Sequence, residues 1–194
     1  MINKEPLELI VSTVQEISIA RDLNTLMFIV RKAAQKLTSA QGVTFVLKDK
    51  DLCFYADEEA IAPLWKGQRF AADKCISGWV MIHKEIAIIN DIYQDNRVPH
   101  DAYRPTFVKS LAMVPIRSVD PIGAIGCYWS KEYTPDQNEI RFLQTLADVT
   151  AVSFEKLQLY NYLKEKVGPN IVDSHHTADI LFSPQKFLSR IATL

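Results

Sequence analysis

Strong charge, paired cysteines and long apolar runs are all missing from this sequence. Lys and Arg together number 22 against 23 Asp and Glu, a formal charge of −1. Such a balance supplies no basic field for nucleic acid or anionic lipid. The three cysteines, Cys53, Cys75 and Cys127, are scattered and form no CxxC motif. That pattern fits thiols buried as small hydrophobes in a reducing compartment.

Membrane insertion and secretion are not expected either. The longest apolar runs, such as residues 86–89, fall far short of the ~20 residues that a spanning helix needs. The first residues, MINKEP, lack the apolar core and cleavage site of a secretory signal. We therefore predict a cytoplasmic protein with neither a nucleic-acid nor a membrane partner. Its 194 residues, 48% of them apolar, suit one packed domain with extensions.

The spacing of apolar residues predicts the order of helices and strands. One helix is expected over residues 6–19, and a second from an N-cap at Asn24 to about Ala40. A long final helix is expected after an N-cap at Thr134 and a proline at its first position, Pro135. Between them lie a short helix at residues 76–83 and strands near residues 43–47, 52–55, 68–71, 85–89, 111–116 and 122–129.

This order predicts an α+β fold. Strands joined by tight turns imply a central antiparallel sheet of five to six strands, with the N- and C-terminal helices packed on one face. Strands and helices do not alternate, so a doubly wound nucleotide fold is not expected. The strand at residues 85–89 contains the all-apolar run 86–89, which predicts burial on both faces. The connection at residues 90–106 is longer than most structureless loops, which indicates function or hidden helical turns.

Five short motifs follow one another in the second half of the chain. They are residues 75–85 (CISGWVMIHKE), 88–92 (IINDI), 95–97 (DNR), 109–116 (KSLAMVPI) and 122–127 (IGAIGC). In this order they resemble the GAF family over about residues 20–165. The resemblance implies a GAF/PAS-like sensory domain of the kind found in sensor kinases and cyclases, with a role in two-component or cyclic-nucleotide signalling.

The resemblance also implies a small-molecule pocket between the sheet and the 90–106 connection. Aromatic walls with a few polar tips are usual in such pockets, and the side chains expected here are Trp79, Tyr93, His100, Tyr103, Phe107, Met113 and Trp129. The alternative is a collapsed aromatic core without a ligand. The ligand is unknown, because the family's cyclic-nucleotide signature cannot be traced. A covalent bilin is not expected, because residues 96–101 contain no cysteine.

Another branch of the family reduces free methionine sulfoxide through a thiolate. In that branch one cysteine lies just before the glycine of the short helix and another lies in the long connection. Here Ser77 occupies the first position, and no cysteine occupies the second. Cys75 leaves two readings open, a reactive thiol at a helix N-terminus or a buried packing residue. We predict that the chain is not an enzyme, with no catalytic residue and no metal site. The adjacent His175 and His176 are read as part of a solvated tail.

The first and last predicted helices carry apolar seams wider than one helix can hide. We expect a homodimer in which these seams form a helical bundle, through Leu7, Ile10, Val14, Leu143, Leu146 and Leu157. A downstream output domain is a further expected partner, and a ligand-free dimerisation scaffold is the alternative function. The predicted organisation is an N-terminal helix (1–19), a GAF domain that includes the long helix (20–166), and a C-terminal arm or linker (167–194).

Overall fold

The computed structural model describes residues 4–167. Its helices are α1 (Lys4–Ile19), α2 (Leu23–Thr38), α3 (Ile76–His83), α4 (His100–Tyr103) and α5 (Gln137–Val167). Its strands are β1 (Gly42–Asp49), β2 (Leu52–Ala60), β3 (Arg69–Ala71), β4 (Ala87–Ile89), β5 (Ser110–Ile116) and β6 (Gly123–Trp129). The predicted C-terminal arm beyond residue 167, with His175 and His176, lies outside the described residues.

The strands form one antiparallel sheet in the order β3-β2-β1-β6-β5-β4. On one face α2 packs against β1, β2 and β6, and α1 packs against α2. We call this the helix face. On the other face α3 packs against β5, β6 and β2. We call this the lid face. The predicted α+β class and central antiparallel sheet are confirmed.

Alternation along each strand decides which side chains reach which face. In β6, Ala124 and Tyr128 belong to the core of the lid face. Trp129 is turned to the helix face, where its Nε1 donates to the Thr38 carbonyl at the end of α2. Neighbouring aromatic residues of one strand therefore belong to different cores.

Both predicted N-caps are wrong by two residues. Asp22, rather than Asn24, caps α2 by accepting from the Thr25 amide at 2.8 Å. At the start of α5, Asp136 accepts from the Glu139 amide at 2.9 Å, and the Glu139 carboxylate accepts from the Asp136 amide at 2.7 Å. The two carboxylates satisfy exposed amides reciprocally, as in a capping box.

The prediction that the 85–89 strand is buried on both faces is also wrong. The strand is shorter, Ala87–Ile89, and lies at the edge of the sheet, where it pairs with β5 alone. Ile88 is 41% exposed as a result. The 90–106 connection does contain hidden helical turns, a 3-10 turn at Ile92–Gln94 and α4.

The chain divides into two compact units, Met1–Phe154 and Glu155–Leu194. The first contains the sheet with α1 to α4 and the beginning of α5. The second is described as far as Val167 and consists there of the end of α5. Within residues 4–167, no helix combines the length and the apolar character needed to cross a bilayer.

Candidate ligand site beneath the lid

Residues 90–106, here called the lid, cover the lid face and are fastened by local polar contacts. Asp95 accepts from the Arg97 amide and pairs with its guanidinium, with 2.6 Å between Oδ2 and Nη2. That hydrogen bond lowers the pKa of Asp95. The Arg97 guanidinium also lies 4.4 Å from the centroid of the Trp79 ring, which stacks on His83. A cation–π contact thus joins the lid to α3.

Beneath the lid lies a cluster of three tyrosines packed around one tryptophan, here called the tyrosine cluster. Tyr55 comes from β2, Tyr103 from α4 and Tyr128 from β6. Trp65, from the β2–β3 loop, makes edge-on contacts with all three rings at centroid distances of 5.5, 4.7 and 5.6 Å. Its Nε1 donates to the Ala102 carbonyl in the lid at 3.3 Å. Trp65 therefore fills the space between sheet and lid.

The three hydroxyl groups of the tyrosine cluster differ in their partners. The Tyr55 hydroxyl lies 3.2 Å from Ser77 Oγ, and the Tyr128 hydroxyl lies 3.0 Å from Thr44 Oγ1. The Tyr103 hydroxyl makes no hydrogen bond to another described residue, although its residue is only 2% exposed. Burial raises the pKa of all three tyrosines. They consequently stay protonated and can donate hydrogen bonds.

A glycine makes room for Tyr128 within the sheet. A Cβ atom placed on Gly126 would lie 2.5 Å from the Tyr128 hydroxyl, 2.8 Å from Met113 Cε and 2.9 Å from Thr44 Oγ1. Non-bonded atoms do not approach a carbon atom this closely, so an added methyl group would force its neighbours to move. The tyrosine ring can lie back along its own strand only because residue 126 has no side chain.

The loop that carries Trp65 is held from β2. The Glu58 carboxylate accepts from the backbone amides of Leu64, Trp65 and Lys66, at 2.9, 2.7 and 2.8 Å. Lys66 Nζ pairs with Asp57 at 2.7 Å. Charge-assisted bonds to three consecutive amides give this loop a defined shape.

The same part of β2 is also bound to α2. A β-bulge shifts the register so that Val46 is opposite Tyr55 and Phe45 is opposite Asp57. Tyr55 consequently points to the lid face and Asp57 to the helix face. There Asp57 pairs with the largely buried Arg31 of α2 at 2.7 Å. The segment Asp57-Glu58-Glu59, here called the acidic clamp, thus contacts both the Trp65 loop and α2.

A cleft of about 300 Å³ opens beside Trp65, between its loop and the lid. Its lining residues are Pro63, Leu64, Trp65, Gln68, Phe70, Ala102, Pro105 and Thr106. This volume is at the lower end of small-molecule sites. The cleft leads from the surface to the ring that fills the tyrosine cluster.

Two of the three thiols also belong to the lid face. Cys53 of β2 and Cys75, the residue before α3, both lie in its core. Cys75 Sγ is 3.2 Å from Ser77 Oγ, which extends the polar chain that starts at Tyr55. Cys127 is completely buried, and burial raises its pKa to about 12. Among residues 4–167, no group of three or more His, Cys, Asp or Glu side chains is arranged to hold a metal ion.

The structure brings together some of the predicted pocket residues and separates others. Tyr103 and Met113 lie in the core beneath the lid, with Phe107 and Trp79 packed against it. Tyr93 and His100 are neighbours, 5.6 Å apart by ring centroid, and Tyr93 is exposed. Trp129 lies on the helix face and does not join the others.

Sequence reasoning missed Tyr55, Trp65, Tyr128, Thr44 and Ser77. Strict alternation applied to β6 selects Tyr128 rather than Trp129, since the small residues Ala124 and Gly126 share its face. The same alternation selects Tyr55 with Cys53 in β2. Trp65 lies in a stretch whose apolar residues follow neither helix nor strand periodicity, so the sequence pattern did not indicate its position.

The predicted dimer residues also divide into two groups. Leu143 and Leu146 are 0% and 2% exposed, and Ile10 is buried as well, so these side chains belong to the protomer core. Leu157 is likewise buried. Leu7 and Val14 are exposed on α1. A broad apolar stripe contains both a core-facing row and an outer row, and the sequence pattern did not separate them.

Comparison with known proteins agrees with this architecture. A GAF domain family model matches residues 20–155. The GAF domain of an Acinetobacter phosphoenolpyruvate-protein phosphotransferase is 16% identical with a TM-score of 0.72, over 84% of this chain and 99% of that chain. The chromophore-binding domain of a bacteriophytochrome from R. palustris is 13% identical with a TM-score of 0.70, over 81% and 62%.

Free methionine-R-sulfoxide reductase from Neisseria meningitidis is 16% identical with a TM-score of 0.66, over 79% of this chain and 90% of that chain. Identities this low show a shared fold alone. No protein of curated function matches the chain. The family model covers more than half of the chain, and the predicted resemblance is thereby confirmed: the chain belongs to the GAF domain family, a sensory and regulatory fold.

Proposed function

We propose that this domain senses a small molecule that binds in the tyrosine cluster and replaces Trp65 there. The observation that carries the proposal is the tyrosine cluster itself, in which three rings pack around the Trp65 indole and the Tyr103 hydroxyl makes no hydrogen bond to another described residue. A ligand with an acceptor atom beside that hydroxyl would gain a hydrogen bond of about 0.5–1.5 kcal/mol. The other polar tips, on Tyr55, Tyr128, Ser77 and Thr44, are uncharged hydroxyls, which favour a neutral ligand.

The route into the cluster in this proposal is the cleft beside Trp65. The indole is held by ring contacts and by one 3.3 Å hydrogen bond to Ala102. A ligand that provides equivalent ring contacts can take its place at small net cost. Trp65 then moves outward into the cleft together with its loop.

The acidic clamp supplies the path from the ligand to the helices. Movement of the Trp65 loop breaks the three amide bonds to Glu58 and the Lys66–Asp57 pair. Asp57 and Glu59 then rearrange around Arg31 of α2, because both carboxylates share this partner. In this proposal α2 and α1 carry the change onward to an output domain.

Native mass spectrometry of the chain after exposure to cell extract tests ligand binding. We expect a retained small molecule on the wild-type chain and about tenfold weaker retention for Tyr103→Phe, the effect of one lost hydrogen bond of ~1.4 kcal/mol. Tyr133→Phe is the control, since its hydroxyl bonds to Glu139, away from the cluster. Trp65→Ala should retain the molecule more strongly. A wild-type chain and a Trp65→Ala variant that both stay empty would refute ligand sensing.

A dimerisation scaffold is the second candidate, favoured by the surface of α1. Leu7, Val11 and Val14 are 49%, 53% and 37% exposed and recur at coiled-coil spacing. We propose that this row packs against the same row of a second copy. Light scattering across a range of concentrations tests it. Val11→Glu should convert a dimer into a folded monomer, whereas a wild-type mass of one chain at every concentration would exclude the dimer.

A further inference from the structure

We propose that a second cleft of this domain binds a small amphipathic anion, a carboxylate with an apolar body such as a medium-chain fatty acid. The cleft has a volume of about 470 Å³ and lies where the β1–β2 turn, the C-terminal end of α3 and the β5–β6 connection meet. It shares no lining residue with the cleft beside Trp65. This inference goes beyond the proposed function and does not depend on it.

Backbone contacts give the cleft a defined frame. The Ala72 amide donates to the Asp51 carbonyl at 2.9 Å, which joins the β1–β2 turn to the residues before α3. A Cβ atom on Gly78 of α3 would collide with the Ala72 carbonyl, so α3 packs directly against the same backbone. The Lys48 amide donates to the Ile122 carbonyl at 2.9 Å and joins β1 to the β5–β6 connection. The three elements that form the cleft are therefore connected before any ligand binds, which lowers the cost of binding.

Part of the lining is apolar. Leu52 and Ile82 line the cleft and are 38% and 57% exposed. Met81 and Pro121, which are both buried, line it as well. Large apolar side chains that are exposed together mark binding surfaces, and the volume of the cleft is within the range of small-molecule sites. The cleft thus offers a surface to the apolar body of a ligand.

The rest of the lining is charged, and only some of its charges are paired. The charged side chains that line the cleft are Lys48, Lys50, Asp51, Asp73, Lys84 and Asp120. Lys48 Nζ lies 3.7 Å from Asp120 Oδ1, and Asp73 Oδ2 lies 3.6 Å from Lys74 Nζ. The other two lysines and the third aspartate make no ion pair with another described residue. Two ammonium groups and one carboxylate therefore remain, a net charge of +1, which favours a ligand with a single negative charge.

Both unpaired lysines occupy backbone positions that favour glycine. Lys50 is the first residue of the two-residue turn between the paired residues Asp49 and Leu52, and its φ is 57°. Lys84 is the residue that ends α3, and its φ is 60°. Glycine is common at both kinds of position, because a Cβ atom is unfavourable in the left-handed region. Two lysines that break the same local preference at one cleft indicate a role other than folding. In this proposal they bind the carboxylate of the ligand.

NMR titration of the whole chain with octanoate tests the proposal. We expect the largest chemical-shift changes at the backbone amides of Lys50, Asp51, Leu52 and Lys84, and a Kd that rises with salt, since salt screens exposed charges. Octanol lacks the charge and acetate lacks the apolar body, so each should bind roughly tenfold more weakly or worse. No shift at these amides, shifts centred beneath the lid instead, or equal binding of octanoate and either control compound would overturn the proposal.

Lysine-to-glycine variants separate binding from folding. Lys50→Gly and Lys84→Gly should each weaken octanoate binding about threefold, and the double variant about tenfold, which is the usual size of exposed charge pairs. Their urea midpoints should equal or exceed that of the unaltered chain, because glycine fits both backbone positions. Lys36→Gln, which removes an exposed charge from α2, is the control and should leave binding unchanged. Lower midpoints with unchanged binding would show that the two lysines serve the fold, and would contradict the proposal.

Discussion

The two faces of the sheet bury polar side chains in different ways. On the helix face, the Trp129 indole donates to the backbone carbonyl of Thr38, and the Thr38 hydroxyl donates to the carbonyl of Ala34. On the lid face, Tyr128 bonds to the side chain of Thr44, and Tyr55 bonds to the side chain of Ser77. These neutral groups of the helix face thus bond to backbone carbonyls, whereas the two tyrosine hydroxyls of the lid face bond to other hydroxyl groups.

This difference separates a structural core from an adaptable one. The Thr38 carbonyl is part of the α2 backbone, so its bond from Trp129 ties that indole to the position of the helix. Hydroxyl groups that bond to one another can turn toward a new partner without any change in the backbone. Tyr103, which has no such partner among the described residues, is the clearest case. Under the proposed function, recognition belongs to the lid face and support to the helix face.

The largest expected effect comes from a charge in the helix-face core. Leu143 is completely buried, so Leu143→Glu leaves a carboxylate without a partner in an apolar site. We expect a loss of about 4 kcal/mol or more in the free energy of unfolding, measured by urea denaturation. Val11→Glu on the exposed row of α1 should change that free energy by less than ~1 kcal/mol. Equal losses for the two variants would contradict the division between core row and outer row.

A smaller effect is expected from crowding the lid face. Gly126→Ala places a methyl group 2.5 Å from the Tyr128 hydroxyl, which must move and lose its bond to Thr44. Overpacking of this kind costs about 1–3 kcal/mol. Denaturation midpoints measure the loss, and near-ultraviolet circular dichroism reports the displaced ring.

A double-mutant cycle identifies the clash behind that loss. Tyr128→Phe removes the atom closest to the added methyl group, so the double variant should be less destabilised than the sum of the single variants. Strict additivity would show that the methyl group disturbs the sheet through Met113 or Thr44 rather than through Tyr128.

The sequence predicted the antiparallel sheet of this domain better than it predicted helix N-caps and the order of strands. The short gap between the predicted strands 43–47 and 52–55 specified an antiparallel pair, because so short a connection cannot join parallel strands. Predicted N-caps failed at Asn24 and Thr134 because several polar residues precede each helix, and only the backbone geometry selects Asp22 and Asp136. The burial predicted for β4 was wrong because β4 lies at the edge of the sheet, and strand order cannot be read from the strand's own sequence.

Only part of the candidate site could be predicted. Tyr103 and Met113 were among the pocket residues that the resemblance implied, and both lie in the core of the lid face. Strand alternation could have predicted Tyr128, since it shares a face with Ala124. The bulge opposite Phe45 could not be predicted, and it decides that Tyr55 and Asp57 point to opposite faces. The position of Trp65 could not be predicted either, because the Glu58 carboxylate fixes it and no periodic pattern does.

The smallest effect, and the most specific to the lid face, is one tyrosine's share of the stability that is lost at alkaline pH. The ordinary pKa of tyrosine is 10.0, and burial raises the pKa of Tyr55, Tyr103 and Tyr128 in the folded chain. Above pH 10 the unfolded chain has released these protons and the folded chain has kept them. Rising pH therefore favours unfolding, and the stability that is complete below pH 10 declines above it, by ~1.4 kcal/mol per pH unit for each tyrosine.

Denaturation midpoints between pH 9 and pH 11 measure this decline. In Tyr55→Phe, the slope of stability against pH above pH 10 should lose one tyrosine's share. The slope below pH 9 should stay unchanged, whatever the substitution does to stability at neutral pH. The slope isolates proton release from the loss of the bond to Ser77, because that loss is the same at every pH below 10. An unchanged slope in Tyr55→Phe would mean that its phenol ionises as readily in the folded chain as in the unfolded one. The hydroxyls of the lid face would then be in contact with water, and the distinction between an enclosed recognition core and a supporting core would fail at Tyr55.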